Sequence, residues 1–78
     1  MKAVELTLFK PSNQLDFYCH DGYFKAYGED ARLASKATGI RCETEDGMPV
    51  ITFSLIRQAD IVLPRLVRAG FKIRMMDL

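Results

Sequence analysis

The amino-acid sequence predicts an α+β fold in which two helices pack on one face of a five-stranded mixed sheet. Three observations lead to this prediction. Apolar and polar residues alternate in several short segments, which is typical of strands with one face against a core. Two longer segments carry apolar residues at helical spacing. The dipeptide Asp46-Gly47 is a strong signal for a β-hairpin. The predicted order of elements is β-β-α-β-β-α-β.

The first two predicted strands span about residues 2–9 and 14–20. Both carry inward apolar residues at every second position: Val4, Leu6 and Leu8 in the first, and Leu15, Phe17 and Cys19 in the second. Pro11, Ser12 and Asn13 are typical turn residues. Because the connection is short, we expect an antiparallel hairpin with its turn at residues 10–13.

The first helix is predicted over about residues 23–38, with Asp21 as its N-cap and Gly39 as the residue that ends it. Its stripe is formed by Tyr27, Ala31, Ala34 and Thr38. Gly28 costs about 1 kcal/mol relative to alanine inside a helix. We therefore expect an irregular first turn and a half.

A second hairpin is predicted after this helix. Residues 40–44 form its first strand, with Ile40, Cys42 and Thr44 facing inward, and residues 48–53 form its second. The turn lies at residues 45–47.

The second helix follows, with Ser54 at the N-cap position and Gly70 at the end. Its apolar stripe consists of Ala59, Val62, Leu63, Leu66 and Val67. Pro64 lacks a backbone donor, so either the helix is kinked there or its regular part begins just before Pro64. Residues 71–76 are the last predicted strand, with Phe71, Ile73 and Met75 facing inward.

Length and composition indicate one ordinary globular domain over residues 1–78. No apolar run approaches the roughly 20 residues of a membrane span, and Glu5 interrupts the apolar start that a signal peptide needs. We therefore expect a cytoplasmic protein without membrane contact. Cys19 and Cys42 are predicted to be reduced and buried.

The formal net charge of +1 argues against a strongly electrostatic nucleic-acid binder. The charge is uneven, however, because residues 55–78 hold five basic and two acidic side chains. This basic end could contact phosphates, although a solvated helix face is the simpler interpretation.

No catalytic group, metal site or cofactor motif is predicted. Cys19, His20 and Asp21 are consecutive, so on a strand their side chains alternate in direction and do not converge. No glycine-rich phosphate loop occurs. We therefore expect a protein that is not an enzyme and binds no cofactor.

Residues 21–35 carry the most informative pattern, DGYFKAYGEDARLAS. It resembles the motif G-D-F-Y-E-x-[FY]-x-[DE]-D-A-x-x-A-S in the N-terminal domain of the DNA mismatch repair protein MutS. Residues 48–53 (MPVITF) and 62–73 (VLPRLVRAGFKI) are similar to later segments of that domain. The resemblance covers about residues 17–77 and implies a mixed α/β fold without catalysis.

In the MutS family this domain contacts the DNA minor groove, inserts an aromatic ring beside a mispaired base and hydrogen-bonds that base through a glutamate. The resemblance places Tyr23 at the position of the ring and Lys25 at that of the glutamate. The glycine and aspartate are reversed here, and Ile56-Arg57 replaces a Tyr-His pair. The clamp, connector and ATPase domains of the family have no counterpart in these residues, so a protein partner would have to supply them.

Two function classes remain open from the sequence. The first is a DNA-binding module for duplex DNA with weak or no mismatch preference, whose candidate contacts are Tyr23, Lys25, Arg57, Arg65 and Arg68. The second is a protein-interaction or self-association module that keeps the fold as a scaffold. Each candidate also has a purely structural interpretation. Tyr23 could be a half-buried aromatic residue at a helix start, Lys25 an exposed helix lysine, and the arginines the solvent-exposed face of an amphipathic helix. Phe17, Phe53 and Phe71 are predicted core residues.

Overall fold

A computed structural model of the chain describes residues 13–77. It contains five strands and two helices: β1 (Gln14–His20), β2 (Tyr23–Tyr27), α1 (Glu29–Thr38), β3 (Glu43–Glu45), β4 (Met48–Ser54), α2 (Ala59–Arg68) and β5 (Lys72–Asp77).

The five strands form one mixed sheet in the order β3-β4-β2-β1-β5. β1 pairs in parallel with β5, and the other neighbouring pairs are antiparallel. Apolar side chains of α1 and α2 join those of the sheet in a single core on one side. The predicted α+β class, with a five-stranded mixed sheet and two helices, is therefore confirmed.

The first described hairpin differs from the predicted one. β1 pairs with β2, and the register places His20 opposite Tyr23. Asp21 and Gly22 form the turn with φ angles of 51° and 81°, which is the positive-φ pattern of a tight hairpin turn. Asp21 is therefore a turn residue and not a helix cap. The predicted strand at residues 2–9 and the turn at 10–12 lie outside the described residues.

The predicted helix start at residues 23–27 is wrong, because this segment is a strand. Phe24 and Ala26 are fully buried, whereas Tyr23 is exposed and Lys25 and Tyr27 are partly exposed. This alternation has the period of two that a strand requires. Tyr27 and Ala31 are four residues apart, which is helical spacing, and for this reason the sequence predicts a helix that includes Tyr27. In the structure, Gly28 lies between the end of β2 and the start of α1.

Three phenylalanines form the centre of the core. Phe17, Phe24 and Phe53 are fully buried. The rings of Phe17 and Phe24 meet edge to face at 5.2 Å between centroids, and Phe53 lies at 5.2 Å from Phe24 and 6.1 Å from Phe17. Phe71, also predicted to be core, is only partly buried at its edge.

Helix α1 is fixed at both ends. Gly28 precedes it with φ 65° and ψ −132°, and its backbone N–H donates to the carbonyl of Pro49 at 2.8 Å. Asp30 in the first turn accepts a hydrogen bond of 3.0 Å from the backbone N–H of Asp16. Gly39 ends the helix in the left-handed conformation, as predicted. These contacts hold α1 against β1 and β4.

The second hairpin is confirmed, with shifted strand limits. Asp46 and Gly47 have φ angles of 50° and 78° and connect β3 to β4. The strand predicted at residues 40–44 is instead the three-residue β3, and Thr44 is exposed rather than inward. Ile40 and Cys42 pack against the core from the segment before β3. Their apolar side chains explain why that segment resembled a strand.

A turn at residues 55–58 separates β4 from α2. The prediction that Ser54 caps α2 is wrong, because Gln58 occupies the N-cap position. The Ser54 hydroxyl instead accepts a hydrogen bond from the Arg57 backbone N–H at 3.1 Å. Pro64 lies inside the ten-residue α2, which begins at Ala59 and so well before the proline. Val62 and Leu66 are buried, but Val67 is 61% exposed and does not belong to the core.

The prediction of two buried cysteines is wrong, although both thiols are free. Cys19 and Cys42 are half-buried at the rim of the core. The Cys19 thiol lies 3.7 Å from the Met75 sulfur on β5. Met75 is itself 39% exposed, and β5 is the last strand on its side of the sheet among residues 13–77, so this part of the inner layer lies at the margin of the described core.

Candidate nucleic-acid interface

The sheet has a second face, opposite the helices, which we call the outer face. It includes Asp16, Tyr18 and His20 on β1, Tyr23, Lys25 and Tyr27 on β2, Val50, Thr52 and Ser54 on β4, Lys72, Arg74 and Met76 on β5, and Glu43 and Glu45 on β3. The strand register places these residues side by side, because paired residues in a sheet share a face. The outer face is therefore the surface on which the described strands present aromatic and charged side chains together.

All three tyrosines of the chain lie on the outer face, and the chain has no tryptophan. Tyr18, Tyr23 and Tyr27 line one open depression of about 430 Å³, together with His20, Asp21, Lys25 and Thr52. The rings of Tyr18 and Tyr27 contact each other at 5.8 Å between centroids with a tilt of 56°. The depression is thus a mainly aromatic surface with a single lysine among the rings.

Tyr23 lies at the first position of β2, directly after the hairpin turn. It is 51% exposed, and because it begins a strand, only the helix start in the simpler interpretation of a half-buried helix-start aromatic is wrong. Its neighbours across the sheet are His20 on β1 and Ser54 on β4. The backbone carbonyl of Gly22 accepts a hydrogen bond of 2.9 Å from Leu55, which holds the turn before Tyr23 against the turn after β4. The hydrogen bond between the two turns therefore fixes the backbone on which the exposed ring is carried.

Charges beside the tyrosines are largely paired. Lys25 lies two residues from Tyr23 on the same face, and its ammonium is 3.8 Å from a carboxylate oxygen of Glu45. The His20 imidazole is 3.1 Å from the Asp21 carboxylate, and both side chains are well exposed. Exposed pairs of this kind contribute little to stability and exchange readily with other partners. Lys25 is therefore available to a phosphate, but the surface around it is close to neutral.

Arg57 lies at the same end of the sheet as Tyr23. It is exposed in the turn that follows β4, next to Ile56, which is 87% exposed. The contact between Leu55 and Gly22 brings this turn beside the Tyr23 hairpin. Arg57 therefore lies in a turn beside the Tyr23 hairpin and not on a helix face, but it does not line the depression that contains Tyr23.

Arg65 and Arg68 do not join this cluster. The Arg65 guanidinium donates a hydrogen bond of 2.8 Å to the backbone carbonyl of Thr38, at the end of α1. Arg68 is exposed in the last turn of α2, at the end of the sheet where Lys72 hydrogen-bonds Asn13. The three arginines predicted as DNA contacts therefore do not form one surface. Arg57 lies in the turn after β4, Arg65 connects the two helices, and Arg68 lies in the last turn of α2.

Arg65→Gln should lower the free energy of unfolding by about 1 kcal/mol, because the charged donor to the Thr38 carbonyl is lost. Arg68→Gln is the matched control and should change stability by less than about 0.5 kcal/mol, since its side chain is exposed. Urea unfolding followed by circular dichroism measures both. Equal stabilities of the two variants would show that the bond between α1 and α2 contributes nothing.

Within residues 13–77, no three His, Cys, Asp or Glu side chains come together to hold a metal ion. The Cys19 side chain packs on the helix side of the sheet, whereas His20 lies on the outer face. Neither described helix has the length and apolar character needed to cross a bilayer.

No protein-family model and no curated protein matches this sequence. The resemblance to the MutS N-terminal domain therefore remains a prediction from the motif at residues 21–35.

Tyr18 and Tyr27 are the candidate residues that the sequence analysis missed. The helical stripe predicted from the sequence includes Tyr27, and no predicted site includes Tyr18. The available signal was the alternation of apolar inner residues with tyrosine or lysine in residues 15–20 and 23–27. Read as two strands of a hairpin, this pattern places both tyrosines on the face away from Phe17 and Phe24.

Proposed function

We propose that this protein is a small non-catalytic DNA-binding module that contacts duplex DNA through Tyr23 and its neighbours. The observation that carries this proposal is the half-exposed Tyr23 ring, which shares a depression with Lys25 and follows a hairpin turn that is hydrogen-bonded to the turn containing Arg57. An apolar ring in such a position suits insertion beside a base step in the minor groove. The resemblance to the MutS domain, which matches Tyr23 to the inserted ring of that family, supports the same role.

Lys25 determines what kind of duplex is expected to bind. An ammonium group donates hydrogen bonds and accepts none, so Lys25 cannot replace a glutamate that accepts a hydrogen bond from a base. It can attract a phosphate instead. We therefore propose binding that is weak and nearly indifferent to mismatches. A partner protein would supply any further activity.

Tyr23→Ala should weaken binding to a 24-base-pair duplex by about tenfold or more, because stacking on a ring contributes about 1–3 kcal/mol per base. Tyr23→Phe keeps the ring and is the matched control, with affinity expected within about twofold of wild type. Fluorescence anisotropy with a labelled duplex measures both. If Tyr23→Ala binds as tightly as Tyr23→Phe, the ring does not contact DNA.

Lys25→Glu should lower affinity for matched duplex at low salt, since a phosphate contact becomes a repulsion. The same variant should raise the preference for a mismatched duplex above that of wild type, because a carboxylate can accept a hydrogen bond from a base. The comparison needs matched and mismatched duplexes of one length at one salt concentration. A severalfold mismatch preference in the wild-type protein would contradict the proposed role of Lys25.

A protein-interaction module is the second candidate, and one observation favours it. Ile56 is 87% exposed on the turn after β4, and Ile61 on α2 is 53% exposed. Large apolar side chains at such positions often belong to interfaces. If sedimentation analysis shows a dimer that Ile56→Ser makes monomeric, and no DNA binds, this second function replaces the first.

A further inference from the structure

We propose that the depression on the outer face binds unpaired nucleotides of single-stranded DNA, with bases stacked on Tyr27, Tyr18 and Tyr23. This inference rests on the proposed DNA-binding function and specifies the form of DNA that the module prefers. Its basis is the convergence of every tyrosine of the chain on one open surface around a single lysine.

The strand geometry sets the length of the bound segment. Tyr23 and Tyr27 are four residues apart on β2, which corresponds to about 13 Å along a strand. The pairing of Tyr18 with Lys25 places Tyr18 between them on the neighbouring strand. A stacked DNA strand rises about 3.4 Å per nucleotide, so the three rings span at most about four nucleotides. This is a site for a short unpaired segment.

The position of the rings favours an unpaired strand over a duplex. Tyr18 and Tyr27 belong to β1 and β2, and β2 is the middle strand of the sheet. Stacking on these rings requires the flat face of a base, which a continuous duplex does not expose. Exposed carboxylates of Glu43 and Glu45 lie along the β3 edge and would repel the phosphates of a duplex laid across the sheet. A single strand that follows β2 has its bases on the tyrosines without crossing that edge.

The charges predict how binding depends on salt. Lys25 is the cation among the rings, and Glu45 partly neutralises it. Arg74 on β5 lies opposite Asp16 in the sheet. Since only about one or two phosphates can be neutralised, at roughly −0.7 per phosphate for single strands, the slope of log K against log salt should lie between about −0.7 and −1.4. Stacking, rather than phosphate contact, then supplies most of the affinity.

The test measures binding of wild-type protein to an unlabelled dT12 oligonucleotide by the intrinsic tyrosine fluorescence. Because the chain has three tyrosines and no tryptophan, the signal comes from the outer face alone. We expect quenching that saturates with dT12, and an affinity for dT12 at least about tenfold above that for a 24-base-pair duplex in anisotropy. Equal or weaker binding of dT12 would overturn the inference.

Two pairs of variants test the rings individually. Tyr27→Leu and Tyr18→Leu keep apolar bulk but remove the ring, and each should weaken dT12 binding by about fivefold to a hundredfold. Tyr27→Phe and Tyr18→Phe keep the ring and should bind within about twofold of wild type. Duplex affinity should change by less than about twofold in all four. Circular dichroism establishes that each variant is folded before its affinity is compared.

The outcomes separate this inference from the proposed function. Duplex binding that depends on Tyr23, without a preference for dT12, would leave the function standing and overturn the inference. If the wild-type protein binds neither the duplex nor dT12, the proposed function and this inference are both overturned. Tighter binding of U12 than of dT12 would overturn the assignment to DNA.

Discussion

Phe17→Ala should lower the free energy of unfolding by about 3–5 kcal/mol, the usual cost of removing a fully buried phenylalanine ring. Phe17 is inaccessible to solvent and contacts both Phe24 and Phe53. A domain of this length has a total stability of about 4–12 kcal/mol, so the variant retains only part of it. At about 4 °C or more per kcal/mol, the melting temperature should fall by at least about 12 °C.

Thermal and urea unfolding followed by far-ultraviolet circular dichroism measure this loss. Ile56→Ala is the matched control, because Ile56 is 87% exposed and exposed substitutions usually change stability by less than about 0.5 kcal/mol. A loss below about 1 kcal/mol for Phe17→Ala would mean that the three rings are not the centre of the core.

Gly28→Ala should destabilise the fold by about 1–3 kcal/mol for a different reason. Gly28 has φ 65° and ψ −132°, a conformation outside the left-handed helical region that side chains with a Cβ rarely adopt. A Cβ placed there would contact nothing within 4 Å. The cost therefore comes from the backbone angles alone, at the junction between β2 and α1.

Asparagine substitution separates this conformation from that of Gly39. Gly39 has φ 78° and ψ 6°, within the left-handed helical region, and a Cβ would also meet open space there. Asparagine tolerates that region better than alanine. Gly39→Asn should therefore be more stable than Gly39→Ala, whereas Gly28→Asn should be no better than Gly28→Ala. Urea midpoints of the four variants measure the difference, and a rescue by asparagine at position 28 would contradict the assigned backbone geometry.

The two structural predictions concern the support on which the outer face depends. Phe24 lies between Tyr23 and Lys25 on β2, so the core rings and the outer-face side chains alternate on one strand. Gly28 ends that strand and starts α1. Variants that loosen the core or the junction should therefore weaken DNA binding indirectly, and affinities are comparable only between variants of similar stability.

The sequence was sufficient for the fold class and for the order of the elements in the second half of the chain. The positive-φ turn at Asp46-Gly47, the strands predicted at residues 48–53 and 71–76, and the stop at Gly39 all depend on local chemistry, and each is present in the structure, the strands as Met48–Ser54 and Lys72–Asp77. Turn residues, caps and strand alternation act within a few neighbours. They can therefore be read without knowing what else the chain contacts.

Residues 23–27 show where local patterns were insufficient. Tyr27 has helical spacing to Ala31, and Phe24 and Ala26 have strand spacing to each other, so two periods compete in one segment. The pairing with β1 and β4 decides between them, because a strand here satisfies its backbone hydrogen bonds on both sides. A helix at the same place would leave the hairpin turn at Asp21-Gly22 without a partner strand.

The candidate site, like the fold, could be predicted from the sequence only in part. The sequence by itself named Tyr23 and Lys25 as candidates, through the motif at residues 21–35, but only the strand β2 places residues two apart on one face. Only the tertiary structure brought Tyr18 and Tyr27 to the same surface, placed the turn that contains Arg57 beside the Tyr23 hairpin, and put Arg65 and Arg68 elsewhere. The physical reason is that strand pairing and helix packing join residues distant in the chain, and neither register nor packing partner is encoded within a single segment.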